Sequence, residues 1–91
     1  MDNSLTFLNA CRNGHKSIVQ IFLKKGDVDV NKRDAEGNTP LYHACLKGFR
    51  DIVSLLLDCD ADVSVANNSS ETPLHAAAKS GNKEIIGKLV Q

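Results

Sequence analysis

Residues 39–57, TPLYHACLKGFRDIVSLLL, return as residues 72–90, TPLHAAAKSGNKEIIGKLV, 33 positions later. Self-similarity at this period marks an array of small stacked units rather than one closed globule. A weaker copy precedes them. Ala10-Cys11 stands where Ala44-Cys45 and Ala77-Ala78 stand, and Gly14, Gly48 and Gly81 follow at the same distance. Ile18-Val19, Ile52-Val53 and Ile85-Ile86 come next. The first offset is 34 and the second 33, which places one extra residue within Gly26–Val30. A surface turn is where an insertion costs least. An array of this kind points to an extended surface that meets another macromolecule, not to a catalytic pocket.

Each unit reads as turn, helix, tight turn, helix, loop. Thr39 can cap the first helix with its hydroxyl, and Pro40 suits the first helical position, where no amide hydrogen is needed. Thr72-Pro73 repeats the device. Leu41, Ala44 and Cys45 fall at i, i+3 and i+4 and make one apolar stripe. Cys11, Cys45 and Ala78 share a small slot expected to be buried. Gly48 ends the helix. The second helix, with Ile52, Val53, Leu55, Leu56 and Leu57, is apolar around most of its circumference, as for a helix packed on several sides. Small residues at Ala10, Ala44 and Ala77 allow close helix approach. Val30 and Val63 are expected to anchor the connectors. Gly37 suits a turn position with positive φ, and Ser70 replaces it in the next connector, which predicts a strained or looser second finger.

The chain of 91 residues makes one small domain, with units of about 1–33, 34–66 and 67–91. Its stability should be modest, since a chain this short has little interior. Eleven Lys and Arg balance eleven Asp and Glu. Partners such as nucleic acid or an anionic membrane usually demand a basic excess, so neither is expected. No apolar run is long enough to span a bilayer, and Met1-Asp2-Asn3-Ser4 carries neither a secretory nor a myristoylation signal. The three cysteines form no Cys-x-x-Cys pair and read as reduced thiols, which fits cytosol or nucleus. A monomer is expected.

The pattern resembles the ankyrin-repeat family. The second unit supplies Asp34, Gly37, Thr39, Pro40, Leu41, Ala44, Gly48, Ile52, Val53, Leu56, Leu57, Ala61, Asp62 and Val63 of its motif. The third supplies Thr72, Pro73, Leu74, His75, Ala77, Ala78, Gly81, Ile85, Ile86 and Leu89, and the first a sparser set from Ala10 to Asn31. The resemblance implies an all-α solenoid of three helix-turn-helix units with β-turn or hairpin-like connectors, binding protein without cofactor, metal or catalysis. Departures stand out. Tyr42 and Phe49 replace histidines, and Cys59-Asp60 replaces a free position and a glycine. The first unit begins Ser4-Leu5-Thr6-Phe7, which suits a cap-like unit. Gly87 and Lys88 occupy the slots of Ser54 and Leu55, and a lysine there suggests a face turned to water, as in a C-terminal cap. The third unit stops at Gln91 without a closing loop, which favours a piece of a longer array over a compact three-unit protein.

By the same resemblance the partner touches the finger tips, Ala35, Glu36 and Asn38 then Asn68, Ser69 and Glu71. It also touches the open side of the first helices at Asn9, Arg12, Asn13, His43, Leu46, Lys47, Ala76, Lys79 and Ser80. Tyr42 edges this strip, and Tyr42 and Leu46 are the candidate anchors, because exposed aromatic and apolar groups supply hot spots. Arg12, Lys47 and Lys79 would form a basic stripe for an acidic partner segment. Alternative readings are a small regulator that inhibits an enzyme such as a kinase by covering it, or a structural segment that self-associates.

Chemistry finds no support in the pattern. His15, His43 and His75 lack paired zinc spacing with the cysteines. Cys45 and His43, two apart on a helix, point in different directions. No Gly-rich phosphate loop occurs. The aspartates of the loops lack the glycine and closing glutamate of a calcium site. Asn67-Asn68-Ser69 and Asn68-Ser69-Ser70 match the glycosylation sequon and read as coincidence within a polar turn.

Overall fold

The computed structural model describes residues 2–91. Among them lie six helices and no strand: α1 (Ser4–Asn13), α2 (Lys16–Lys25), α3 (Pro40–Lys47), α4 (Arg50–Asp58), α5 (Pro73–Ser80) and α6 (Lys83–Leu89). They form three antiparallel pairs. First helices stack on first helices, α3 lying between α1 and α5, and α4 lies between α2 and α6.

Local chemistry sets the boundaries. The Tyr42 amide donates to Thr39 Oγ1 at the start of α3 (3.2 Å), with Pro40 next in line. At α5 the cap is reciprocal, since the Thr72 amide also donates to His75 Nδ1 (3.0 Å). Tyr42, in the slot of His75, cannot return that bond and sends its ring elsewhere. Gly48, at φ 76°, closes α3 in the left-handed region that glycine enters without strain.

One cluster runs the length of the stack through Phe7, Cys11, Val19, Leu41, Ala44, Cys45, Ile52, Val53, Leu56, Ala77 and Ile85. Comparing a slot across units shows which neighbour it faces. Leu41 is 1 % exposed and Phe7 is buried, whereas Leu74 in the same slot is 42 % exposed. That slot therefore faces the following unit. Ile52 is 2 % exposed and Ile85 is buried, whereas Ile18 is 44 % exposed, so this slot faces the preceding unit.

The same rule explains three differences from the sequence expectations. Ala78 is exposed while Cys11 and Cys45 are buried, because its slot faces the following unit and none follows among the described residues. Ala76 is buried, because its slot, shared with Asn9 and His43, faces the preceding unit. Lys88 is half-buried in the slot of Ile21 and Leu55, so the outward face of the third unit carries Leu74 and Val90 instead. Val63 is also exposed, and Val28, Val30 and Ala61 hold the connectors to the core.

The 34-to-33 shift falls between Gly26 and Asp29. Gly26 (φ 72°) corresponds to Asp60 (φ 62°), but Asp29 corresponds to Asp62, each accepting a hydrogen bond from the amide two residues on. Two residues separate the first pair and one separates the second.

Gly37 and Ser70 both adopt positive φ (80° and 62°). A Cβ on Gly37 would lie 2.6 Å from Asn68 Oδ1 in the next finger, so the slot demands glycine twice over. No finger follows Ser70 among the described residues, and there only backbone strain remains. A left-handed residue costs about 1–2 kcal/mol, partly offset by the looser unfolded chain that glycine brings. Asp60→Gly and Ser70→Gly are each expected to raise stability by about 0.5–1 kcal/mol, nearly additively, in urea melts.

Candidate protein-binding surface

The fingers are built by one side chain each. Asp34 Oδ1 accepts from the amides of Glu36 (3.1 Å) and Asn38 (2.8 Å). Asn67 Oδ1 accepts from Ser69 (2.9 Å) and Glu71 (3.0 Å) in the same register. Backbone bonds close both turns, from Asp34 N to Asn38 O (3.0 Å) and from Asn67 N to Glu71 O (2.8 Å). Asx side chains stabilise turns by this means.

The fingers are also tied to each other. The Asn68 amide donates to Glu36 O (2.9 Å), and Asn68 Nδ2 donates to Ala35 O (3.1 Å). Asn67 Nδ2 donates to Asn38 Oδ1 (2.8 Å). Arg33 bridges them, with Nε on Gly37 O (3.2 Å) and Nη2 on Ala66 O (3.0 Å). These bonds couple the two tips to each other.

The second tie runs to the helices. The Tyr42 hydroxyl donates to Glu71 Oε1 (2.8 Å), and Lys79 Nζ donates to Glu71 Oε2 (2.6 Å). Lys79 and Tyr42 together hold the Glu71 carboxyl below its usual range, and Glu71 in turn raises the Lys79 ammonium. Burial, then Glu71, pushes the Tyr42 hydroxyl up. At the first finger, His43 Nε2 on α3 lies 2.8 Å from Asp34 Oδ2. Burial alone would raise the Asp34 carboxyl. The bond from His43 and the amides of Asn38 and Glu36 outweigh it, and the carboxyl sits below its usual value. An ionised carboxylate only accepts, so Nε2 carries the hydrogen.

The sequence-derived strip is placed as follows. Arg12, Asn13, Ala35, Glu36, Lys47, Asn68, Ser69, Lys79 and Ser80 are exposed, and Asn38, Leu46 and Glu71 are half-buried. Tyr42 and His43 correct the expectation. They are only 6 % and 8 % exposed, so Tyr42 is not an open anchor and His43 is not a surface variable. The slot of Tyr42 faces the following unit, and that of His43 faces the preceding one. Lys79 is engaged by Glu71, which leaves Arg12 and Lys47 as strip cations outside any ion pair among the described residues. Leu46 remains as the apolar candidate. Sequence reasoning missed Arg33 and Asn67 as the parts that fix the fingers. The signal for Asn67 was present, since it occupies the register of Asp34. Arg33 gave none, because its two acceptors are backbone carbonyls.

The structure and the comparisons with known proteins agree on the class. A family description, ankyrin repeats (3 copies), matches residues 7–91. The chain belongs to the ankyrin-repeat family, whose repeats are in general protein–protein interaction modules. It is similar to human BCL-6 corepressor-like protein 1, 44 % identical over 55 residues, covering 60 % of this chain and 3 % of that protein. It is similar to mouse protein fem-1 homolog A-like, 40 % identical over 52 residues, covering 57 % of this chain and 8 % of that protein. A putative ankyrin repeat protein of fowlpox virus is 44 % identical over 54 residues, covering 59 % and 12 %. The chain thus spans a small fraction of the length of these relatives. No helix among the described residues is long and apolar enough to cross a membrane.

Proposed function

We propose that this chain is a non-catalytic recognition module that takes a protein partner across the finger tips and the neighbouring face of the first helices. The coupled fingers carry this reading. A partner meeting Ala35, Glu36, Asn68 and Ser69 finds groups already held by Arg33, Asn67 and Asn68, so little ordering entropy is lost on binding. Arg12 and Lys47, in the last turns of α1 and α3, extend the strip away from the fingers and favour an acidic segment; Leu46 offers the apolar contact next to Lys47. Nucleic acid and membrane are poor fits for a chain of zero formal charge. Burial pushes the Cys11 and Cys45 thiols up to about 12, which keeps them protonated and poor nucleophiles. Three unpaired cysteines fit a reducing setting, cytosol or nucleus.

The test is capture of protein partners by the immobilised chain, compared with Arg12→Glu plus Lys47→Glu and with a Lys24→Glu control on α2. Binding to the captured partner should fall roughly tenfold or more in the double variant and hold in the control. It should also weaken as salt rises. Retention at full strength in the double variant removes the acidic-segment reading. Retention after Leu46→Ala, Ala35→Arg and Ser69→Arg as well removes the strip itself.

A further inference from the structure

Asn13 is the one asparagine of the chain that precedes a glycine. Its surroundings also set it apart. Asn31, Asn38, Asn67, Asn68 and Asn82 all spend their side chains on hydrogen bonds that hold turns or a helix start. The Asn13 side chain makes no such bond among the described residues, and the residue is exposed. That exposure owes nothing to the ends of the stack, since Lys47 and Ser80 in the same slot are exposed as well. Asn13 closes α1, and Gly14 follows in the left-handed region at φ 77°. The Gly14 amide donates to Cys11 O at 3.4 Å, against 3.2 Å from Gly48 to Cys45 O and 3.1 Å from Gly81 to Ala78 O. Its nitrogen is the least tightly held of the three, at a helix end, where local opening costs least. No Cβ on Gly14 shields that nitrogen. The Phe49 ring opposes opening, because it covers the turn 2.9 Å from where such a Cβ would stand.

We propose that Asn13 and Gly14 form a self-modifying site that lowers the affinity of the binding strip as the molecule ages. A helical backbone keeps the Asn13 side-chain carbonyl off the line of the Gly14 nitrogen, so the last turn of α1 opens first. The Gly14 nitrogen then attacks the Asn13 side-chain carbonyl carbon and gives up its proton. The new C–N bond closes a succinimide ring. The side-chain nitrogen takes the proton and leaves as ammonia. Water opens the ring at either carbonyl, giving aspartate, or isoaspartate with the main chain routed through the side-chain carbon. No oxidant, cofactor or enzyme takes part. Either product places a negative charge next to Arg12 and in the slot of Lys47, the two strip cations outside any ion pair among the described residues. Isoaspartate also lengthens the main chain at a turn against which Phe49 packs. The effect on binding rests on the strip proposed above, whereas the reaction itself does not.

The test incubates the folded chain in warm neutral buffer and follows the peptide of residues 1–16, released by cleavage after lysine, by mass spectrometry. Position 13 should convert progressively, with isoaspartate, detected by isoaspartyl methyltransferase, as the larger product. Asn3 and Asn9 in the same peptide should stay intact, and Asn13→Gln should abolish the change. Phe49→Asn, which matches Asn82 in the next unit, loosens the cover over Gly14 and should speed conversion. A folded chain that keeps the Asn13 amide while the denaturant-unfolded chain converts overturns the site. An unchanged rate in Phe49→Asn overturns turn opening as its control. For the consequence, Asn13→Asp should bind an immobilised glutamate-rich peptide roughly two- to fivefold more weakly than wild type, the range of a surface ion pair. Equal binding overturns the effect on the strip. A wild type that does not bind this peptide removes the acidic-segment reading instead, and the reaction at position 13 then stands or falls by the mass measurement.

Discussion

Leu41→Ala is expected to destabilise the domain by about 2–5 kcal/mol, while Leu74→Ala in the equivalent slot costs less than about 1 kcal/mol. The residue type, the helix position and the preceding Thr-Pro cap are the same at the two sites. What differs is the neighbour. Leu41 is closed in by the unit after it and Leu74 looks outward. Truncating a buried leucine loses its transfer free energy and leaves a cavity that the small residues around it, Ala44, Cys45 and Ala77, cannot collapse to fill. Truncating an exposed leucine loses little of either. Total stabilities of small domains lie near 5–15 kcal/mol, so the first change can leave a substantial unfolded population and the second cannot. Urea melts followed by helical circular dichroism give both values. Equal losses at the two positions would contradict the assignment of faces.

Asp34→Ala is expected to cost about 2–3 kcal/mol at neutral pH, from one buried hydrogen-bond donor and two finger amides left without their acceptor. Water can reach the amides at the finger more easily than His43 Nε2, so most of the loss comes from the histidine. Asp34→Asn keeps an oxygen for the turn and should lose less. The penalty has a pH signature. The folded carboxyl is held below its ordinary value, so its contribution is fully present above the unfolded pKa, about 3.9, and disappears as pH falls through the lower folded value. Melts of wild type and Asp34→Ala should therefore converge on acidification below about pH 4. A gap that stays constant to low pH would mean that the variant acts through packing and not through the ionised carboxylate.

The helical pairs were legible because their signals are local and repeated. Thr39 and Thr72 announce the starts, Gly48 and Gly81 the ends, and the apolar stripes follow helical spacing. Ser70 was legible as strain for the same reason, since a single letter departs from the glycine of the preceding copy. The faces were harder. Whether Ala78, Ala76 or Lys88 is covered depends on which neighbour the slot looks towards, and residue type does not encode that. Only the same slot compared across three units, at the front, middle and end of the stack, reveals it. Tyr42 and His43 misled for a related reason. Both stand at positions where the first helix meets the fingers, and their partners, Glu71 and Asp34, lie 29 and nine residues away. Polar side chains on a polar stretch look like surface until those partners are in place. Within the strip, the exposed finger residues were found from the family pattern, while the bonds that fix them came from Arg33 and Asn67, which reach Ala66 O and Asn38 Oδ1 across 33 and 29 residues.

Amide hydrogen exchange, resolved residue by residue, tests the stacked arrangement most directly. A middle pair covered on both sides should exchange most slowly, so amides of α3 and α4 are expected to be the best protected. Those of α1–α2 and α5–α6 should open at lower free energy, each from its uncovered side. Slowest exchange in either outer pair, or protection that does not depend on position along the stack, would contradict it.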